Sequence, residues 1–129
     1  MAIDAAAARA VATEYLARHQ AKDSAGVAAL FAEDAKVWDP VDSEPHVGRA
    51  AVEAFFTGTH QMAERMEFKL TGDVRVAGNH IAFPFQVESY MPNLAIRLSI
   101  IDTMLLTDDG LISEMRAYWN FGDAESLDA

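Results

Sequence analysis

The stretch RLSIIDTMLL, residues 97–106, sets a carboxylic acid inside an otherwise apolar run. Side chains alternate across an extended chain. Leu94, Ile96, Leu98, Ile100, Asp102, Met104 and Leu106 therefore share one face, and Ala95, Arg97, Ser99, Ile101, Thr103 and Leu105 share the other. The six large apolar residues beside Asp102 mark its face as the core face. A fold that buries them also takes Asp102 out of water. Burial disfavours the charged form and can raise an unpaired carboxyl by up to about 3–5 pKa units. Arg97 lies five residues away with the opposite parity and does not neutralise it. Asp102 is thus expected to be neutral at pH 7, an O–H donor in need of an acceptor. A ligand oxygen would serve. A backbone group or a second polar side chain would serve as well, and would make Asp102 purely structural.

The strands around it follow the same pattern. HIAFPFQVESY puts Ile81, Phe83, Phe85 and Val87 on one face, and Phe68 to Val76 reads as a further strand. After the TDDG turn, LISEMRAYWNF alternates Leu111, Met115 and Trp119 against Glu114, Arg116 and Asn120. The first half differs. Ala8, Val11, Ala12, Tyr15, Leu16 and His19 recur at helical spacing, which predicts a helix over residues 4–21. KDSAGVAALFAEDA predicts a turn and a short helix capped by Asp23 or Ser24. KVWDP predicts a short strand ending at Pro40, and RAAVEAFFTGTH a third helix with Val52, Phe55 and Phe56 inward. Helices followed by consecutive antiparallel strands indicate an α+β fold with helices over one face of a curved sheet. With no repeat and no linker, one domain over residues 1–129 is the simplest organisation.

The charge balance narrows the partners. A net charge of −10 argues against nucleic acid and against an anionic membrane surface. No segment approaches the ~20 apolar residues of a membrane span. The alanine-rich start is interrupted by Asp4, Arg9 and Glu14, unlike a signal peptide. There is no cysteine, which excludes thiolate chemistry and fits a reducing cytoplasm. His46, His60 and His80 lack ligand spacing, and no phosphate loop or nucleophile elbow occurs.

Two more residues bear on the acid. Tyr15 lies on the apolar helix stripe, where a core packing role is the ordinary alternative. Asp39 precedes proline, which holds it extended and gives its side chain a fixed exit direction; an ordinary turn residue is its alternative.

KVWDPVDSEPHVGRAAVEAFF, IDTM and MRAYWN together resemble the ketosteroid isomerase family, within the larger group shaped like nuclear transport factor 2. The resemblance runs from Tyr15 to Trp119. It implies a cone-shaped α+β fold: a curved mixed or antiparallel sheet with three N-terminal helices packed over it, enclosing an apolar cavity. It also implies a homodimer, a small apolar ligand such as a steroid, and no cofactor or metal. By resemblance, Asp39 matches the family's general base, Tyr15 the phenol of its oxyanion hole and Asp102 the protonated acid beside it. Trp119, Phe85, Met115 and Phe55 match the pocket lining. Phe31 and Phe56 stand where some members carry two further tyrosines. The expected activity is Δ5-3-ketosteroid isomerisation. Polyketide cyclases, epoxide hydrolases and dehydratases share this shape and are the alternatives, as is a non-catalytic domain that only binds. Arg97 has the wrong parity for the hydrolases' Asp–Arg–Asp arrangement, and His19 is the one good candidate for a dehydratase histidine.

Overall fold

The structure is a computed structural model and describes residues 3–127. Helix α1 (Ala5–Gln20) opens on Asp4, whose carboxylate accepts the Ala7 N–H at 3.2 Å. It ends where Lys22 enters the left-handed region at φ 56°. Asp23 caps the short helix α2 (Ser24–Ala28) by accepting the Gly26 N–H at 2.9 Å. Helix α3 is Arg49–Gln61 and buries Val52 and Phe56. The strands are β1 (Phe31–Trp38), β2 (His46–Val47), β3 (Arg65–Leu70), β4 (Arg75–Ala77), β5 (His80–Met91), β6 (Leu94–Leu106), β7 (Ile112–Tyr118) and β8 (Glu125–Ser126).

They form one mixed sheet in the order β2-β1-β7-β6-β5-β3, with β4 also on β5 and β8 also on β6. Only the β1–β7 pair is parallel; the others are antiparallel. The three helices pack against one face. Phe83, Phe31, Val37, Met104, Ile112 and Met115 are fully buried there. Large apolar side chains of this kind each contribute about 1.5–3 kcal/mol when buried. No helix among the described residues is long and apolar enough to cross a membrane.

Three departures from sequence expectation have local causes. Strand β1 begins at Phe31, within the segment read as turn and helix. Glu33 and Asp34 are successive exposed residues, and the β1–β7 register shifts between Phe31 and Lys36. A bulged strand loses the period-2 pattern by which strands are recognised. The span 68–76 is two strands, not one. Both pair with β5, and the change from β3 to β4 falls beside Pro84, which has no N–H to donate to an edge partner. On β7, Ile112 and Met115 are both buried despite opposite parity, because a register shift lies between the Leu106–Ile112 and Leu105–Glu114 pairs.

Candidate active site

Three neighbouring strands place two carboxyls on the helix-covered face. On β1, Ala35 and Val37 are buried, and the same parity continues to Asp39 just beyond the strand. On β7, Met115 and Ala117 are buried, and Trp119 follows them. On β6 the buried residues are Leu98, Asp102, Met104 and Leu106, in the expected alternation, but the face opens toward the start of the strand: Ile96 and Ile100 are half-buried and Leu94 is exposed. Trp38 pairs with Arg116 and Ala117 with Asp102, while the Val41 N–H donates to the Ala117 carbonyl at 2.8 Å. Asp39 and Asp102 thus flank Ala117 from opposite sides, with backbones two strand spacings or roughly 10 Å apart. Phe83 on β5 lies directly opposite Asp102 on its other side.

Helix α1 lowers Tyr15 onto this floor. Its buried ring meets Phe31, Phe56 and Phe83 edge-on, with centroids 6.3, 6.3 and 6.4 Å away. The hydroxyl donates to Met115 Sδ at 3.2 Å. A thioether is a weak acceptor, so this donor is only lightly engaged. Burial, then the nearby carboxyls of Asp102 and Asp39, push the phenol well above its ordinary range and keep it protonated.

Asp102 is 1% exposed, and neither of its carboxyl oxygens has a hydrogen-bond partner among the described residues. The Tyr15 hydroxyl donates to the Met115 sulfur, yet it lies close enough to Asp102 to act on it as a hydrogen-bond donor does, favouring the ionised acid. Burial, reinforced by the charge of Asp39, pushes Asp102 well above the carboxylate range. Both influences favour the neutral acid over the carboxylate. Asp39 is treated differently. Burial is the largest influence and leaves it raised above its ordinary range, while the Trp119 indole N–H, which donates to Oδ1 at 2.6 Å, and His46 oppose that rise and favour the anion. The interior therefore holds one proton acceptor and, across from it, two proton donors lacking strong acceptors.

Of the expected lining residues, Trp119 touches Asp39 and Met115 touches Tyr15. Phe85 is buried beside Phe83 and Phe68, at 5.7 and 6.1 Å. Phe55 is half-buried and stacks on His46 at 4.1 Å. Sequence reasoning left Phe83 as a strand residue and did not find the Trp119–Asp39 bond. Both are readable as parity: Trp119 extends the series 115, 117, and Asp39 extends 35, 37. Arg97 lies on the outer face, where its Nε and Nη2 both donate to the one oxygen Glu88 Oε2, at 3.0 and 2.8 Å. A depression of about 320 Å³ also opens on the outer face, where its polar lining includes Thr103 and Arg116, of parity opposite to Asp102 and Met115.

A model of the SnoaL-like domain matches residues 12–115, which include Tyr15, Asp39 and Asp102. The chain belongs to the SnoaL-like family. Among its relatives, a steroid Δ-isomerase from Nocardioides simplex is 34% identical over 115 residues, covering 89% of this chain and 91% of that one. The epoxide hydrolase LasB of Streptomyces lasalocidi is 34% identical over 120 residues, or 88% of this chain, which spans only 42% of that protein. The epoxide hydrolase/cyclase-like enzyme SalBIII, linked to pyran ring formation in the polyether salinomycin, superimposes with a TM-score of 0.87. It is 23% identical, and the match covers 96% of this chain and 98% of that one.

This SnoaL-like protein also buries two histidines, of which His19 meets the Tyr15 ring. His19 Nδ1 and His60 Nε2 are 2.8 Å apart, and His60 Nδ1 and Ser24 Oγ 2.6 Å apart. Burial, with His60 adding, holds His19 down to about 3. His19 and Asp102 therefore give opposite pH dependences. Between about pH 4 and 6.5 the unfolded chain protonates the histidine and ionises the acid, and the folded chain does the reverse. His19 thus favours folding less as pH falls, whereas Asp102 favours it less as pH rises. In this window Asp102→Asn removes the second effect. Its urea-unfolding free energy should fall with acid about 1.4 kcal/mol per pH unit more steeply than wild type. His19→Phe should shift the slope oppositely. Parallel curves for all three proteins would contradict the protonation states assigned to both groups.

Proposed function

We propose that the protein is a ketosteroid isomerase-type enzyme, moving a β,γ double bond into conjugation with a ketone through a dienolate. The observation that carries this is a buried carboxyl at Asp102, raised by its burial and close to the Tyr15 hydroxyl, on the same face as a second carboxyl at Asp39. The 34% identity to a steroid Δ-isomerase supports the substrate class. Removing a proton between the carbonyl and the double bond gathers charge on the carbonyl oxygen, so the reaction needs a base and donors at that oxygen. In this reading Asp39 takes the proton and returns it two carbons along. Tyr15 and neutral Asp102 donate to the enolate oxygen, which an ionised Asp102 would repel. Trp119 holds Asp39, and Phe85, Met115 and Phe55 would be the apolar surfaces that receive the substrate. No redox or metal step is required. Pairing into a homodimer would use the outer face, where Ile101 and Tyr118 are adjacent and exposed.

The test is incubation with a Δ5-3-ketosteroid while following absorbance of the conjugated enone. Inert wild-type protein that nevertheless binds the steroid would exclude the reaction.

Trp119 gives a separate handle. Its N–H favours ionised Asp39, the form the reaction needs. A hydrogen bond to a charged group contributes about 1.5–3 kcal/mol, or about one to two pKa units. Trp119→Phe should move the acid limb of kcat/KM upward by about one unit. An unmoved limb would mean that Asp39 is not the group titrating.

A second reading rests on the similarity to LasB and on the effect of the Asp39 charge in raising Asp102. Neutral Asp102 would protonate an epoxide oxygen while Asp39 takes the proton of the attacking hydroxyl. Arg97, held by Glu88, would not stand between them. Turnover of a hydroxy-epoxide with none of the ketosteroid would select this reading.

A further inference from the structure

His19 is used by neither reaction above, yet its surroundings are those of a binding group. It is 4% exposed, and its Nε2 is a buried polar atom with no partner. Among the described residues, the only other side-chain atoms in that condition are the two carboxyl oxygens of Asp102. Buried polar groups nearly always find a partner, so each exception calls for a reason. Both exceptions adjoin one residue. Asp102 lies by the Tyr15 hydroxyl, and the His19 ring meets the Tyr15 ring edge-on at 4.4 Å.

The other histidine nitrogen fixes the direction. Nδ1 is tied to His60 on α3, and the two ring nitrogens point nearly opposite ways, so Nε2 faces away from His60. Its ring stacks on Phe68 at 5.4 Å and meets Phe56 edge-on at 4.6 Å. These aromatic faces offer no strong acceptor or donor.

The relay behind it has two proton arrangements. In one, Ser24 Oγ–H donates to His60 Nδ1, His60 Nε2–H donates to His19 Nδ1, and His19 Nε2 carries a proton. In the other, every bond reverses and Nε2 presents a lone pair. Ser24 is half-buried, so solvent can serve the outer end in either arrangement. The buried end can therefore match a donor or an acceptor without bearing charge.

We propose that His19 is a second polar anchor for the bound molecule. Its Nε2 hydrogen-bonds an oxygen other than the one held between Tyr15 and Asp102. The ligand class is then a compact apolar molecule with two oxygen functions close together, such as a hydroxyketone or a diketone. This rests on the proposed site for its first anchor, and the experiment separates the two.

The probes are 2-naphthol and the dihydroxynaphthalene isomers, which carry the same first hydroxyl and vary the place of a second. Binding is measured to wild type, His19→Phe and Asp102→Leu, and the His19 ¹⁵N resonances are followed in histidine-labelled wild type. At least one dihydroxynaphthalene should bind wild type about tenfold tighter than 2-naphthol, the size of one good hydrogen bond. That ratio should fall to about one in His19→Phe. The same isomer should move the Nε2 resonance of wild type, a readout needing no variant. Equal ratios in wild type and His19→Phe, or an Nε2 signal that no isomer moves, would overturn the second anchor. Binding of 2-naphthol that is indifferent to Asp102→Leu would instead overturn the first anchor and leave the His19 result readable by itself.

Discussion

Asp39→Asn should lower kcat for a Δ5-3-ketosteroid by about 10²–10⁴, the usual range for a positioned general base. Asparagine keeps the shape and can still meet the Trp119 N–H, which now points at the Asp39 carboxylate from 2.6 Å. It cannot accept the substrate's proton. The loss should therefore fall on turnover, with the conjugated enone no longer appearing. A domain that only holds apolar ligands would have no use for this base. Undiminished turnover in the variant would remove Asp39 from the mechanism.

Asp102→Leu should separate activity from stability. If Asp102 donates to the enolate oxygen as proposed, its loss should cost about 10²–10³ in rate, and Tyr15→Phe should lose a similar factor. Yet the carboxyl sits among apolar neighbours with both oxygens unpartnered. Replacing such a group by an apolar one of similar volume is often neutral or stabilising. The variant should thus be slower by at least two orders of magnitude and no less stable in urea. A structural acid would behave oppositely, losing stability first. Finding that pattern would return Asp102 to the role of a sheet-shaping residue.

The opposed effects explain why this part of the site was legible in sequence. A carboxyl on a strand face otherwise built of Leu98, Ile100, Met104 and Leu106 is costly, and parity alone shows the cost. Strand β5 was legible for the same reason: Ile81, Phe83, Phe85 and Val87 are all buried in alternation. Elsewhere the pattern was broken by local chemistry. The bulge at Glu33 and Asp34 hid the start of β1, and Pro84 divided its edge partner in two. The side-chain contacts were least legible. Trp119 meets Asp39 across 80 residues, and His19 meets His60 across 41. Such meetings depend on how a helix seats on the sheet and on a parallel crossover, which no short-range periodicity encodes. His46 under Phe55 is of the same kind. The family motifs supplied the pairing of Tyr15 with Asp102, which residue spacing by itself left open.

All of this chemistry depends on the charge state of a single side chain, and that can be observed. Aspartate-labelled protein, with Asp102→Asn to assign the signal, allows the Asp102 carboxyl to be followed by ¹³C NMR from pH 5 to 8. The account predicts a carboxylic acid throughout, unchanged across neutrality. A carboxylate resonance at pH 7 would contradict it.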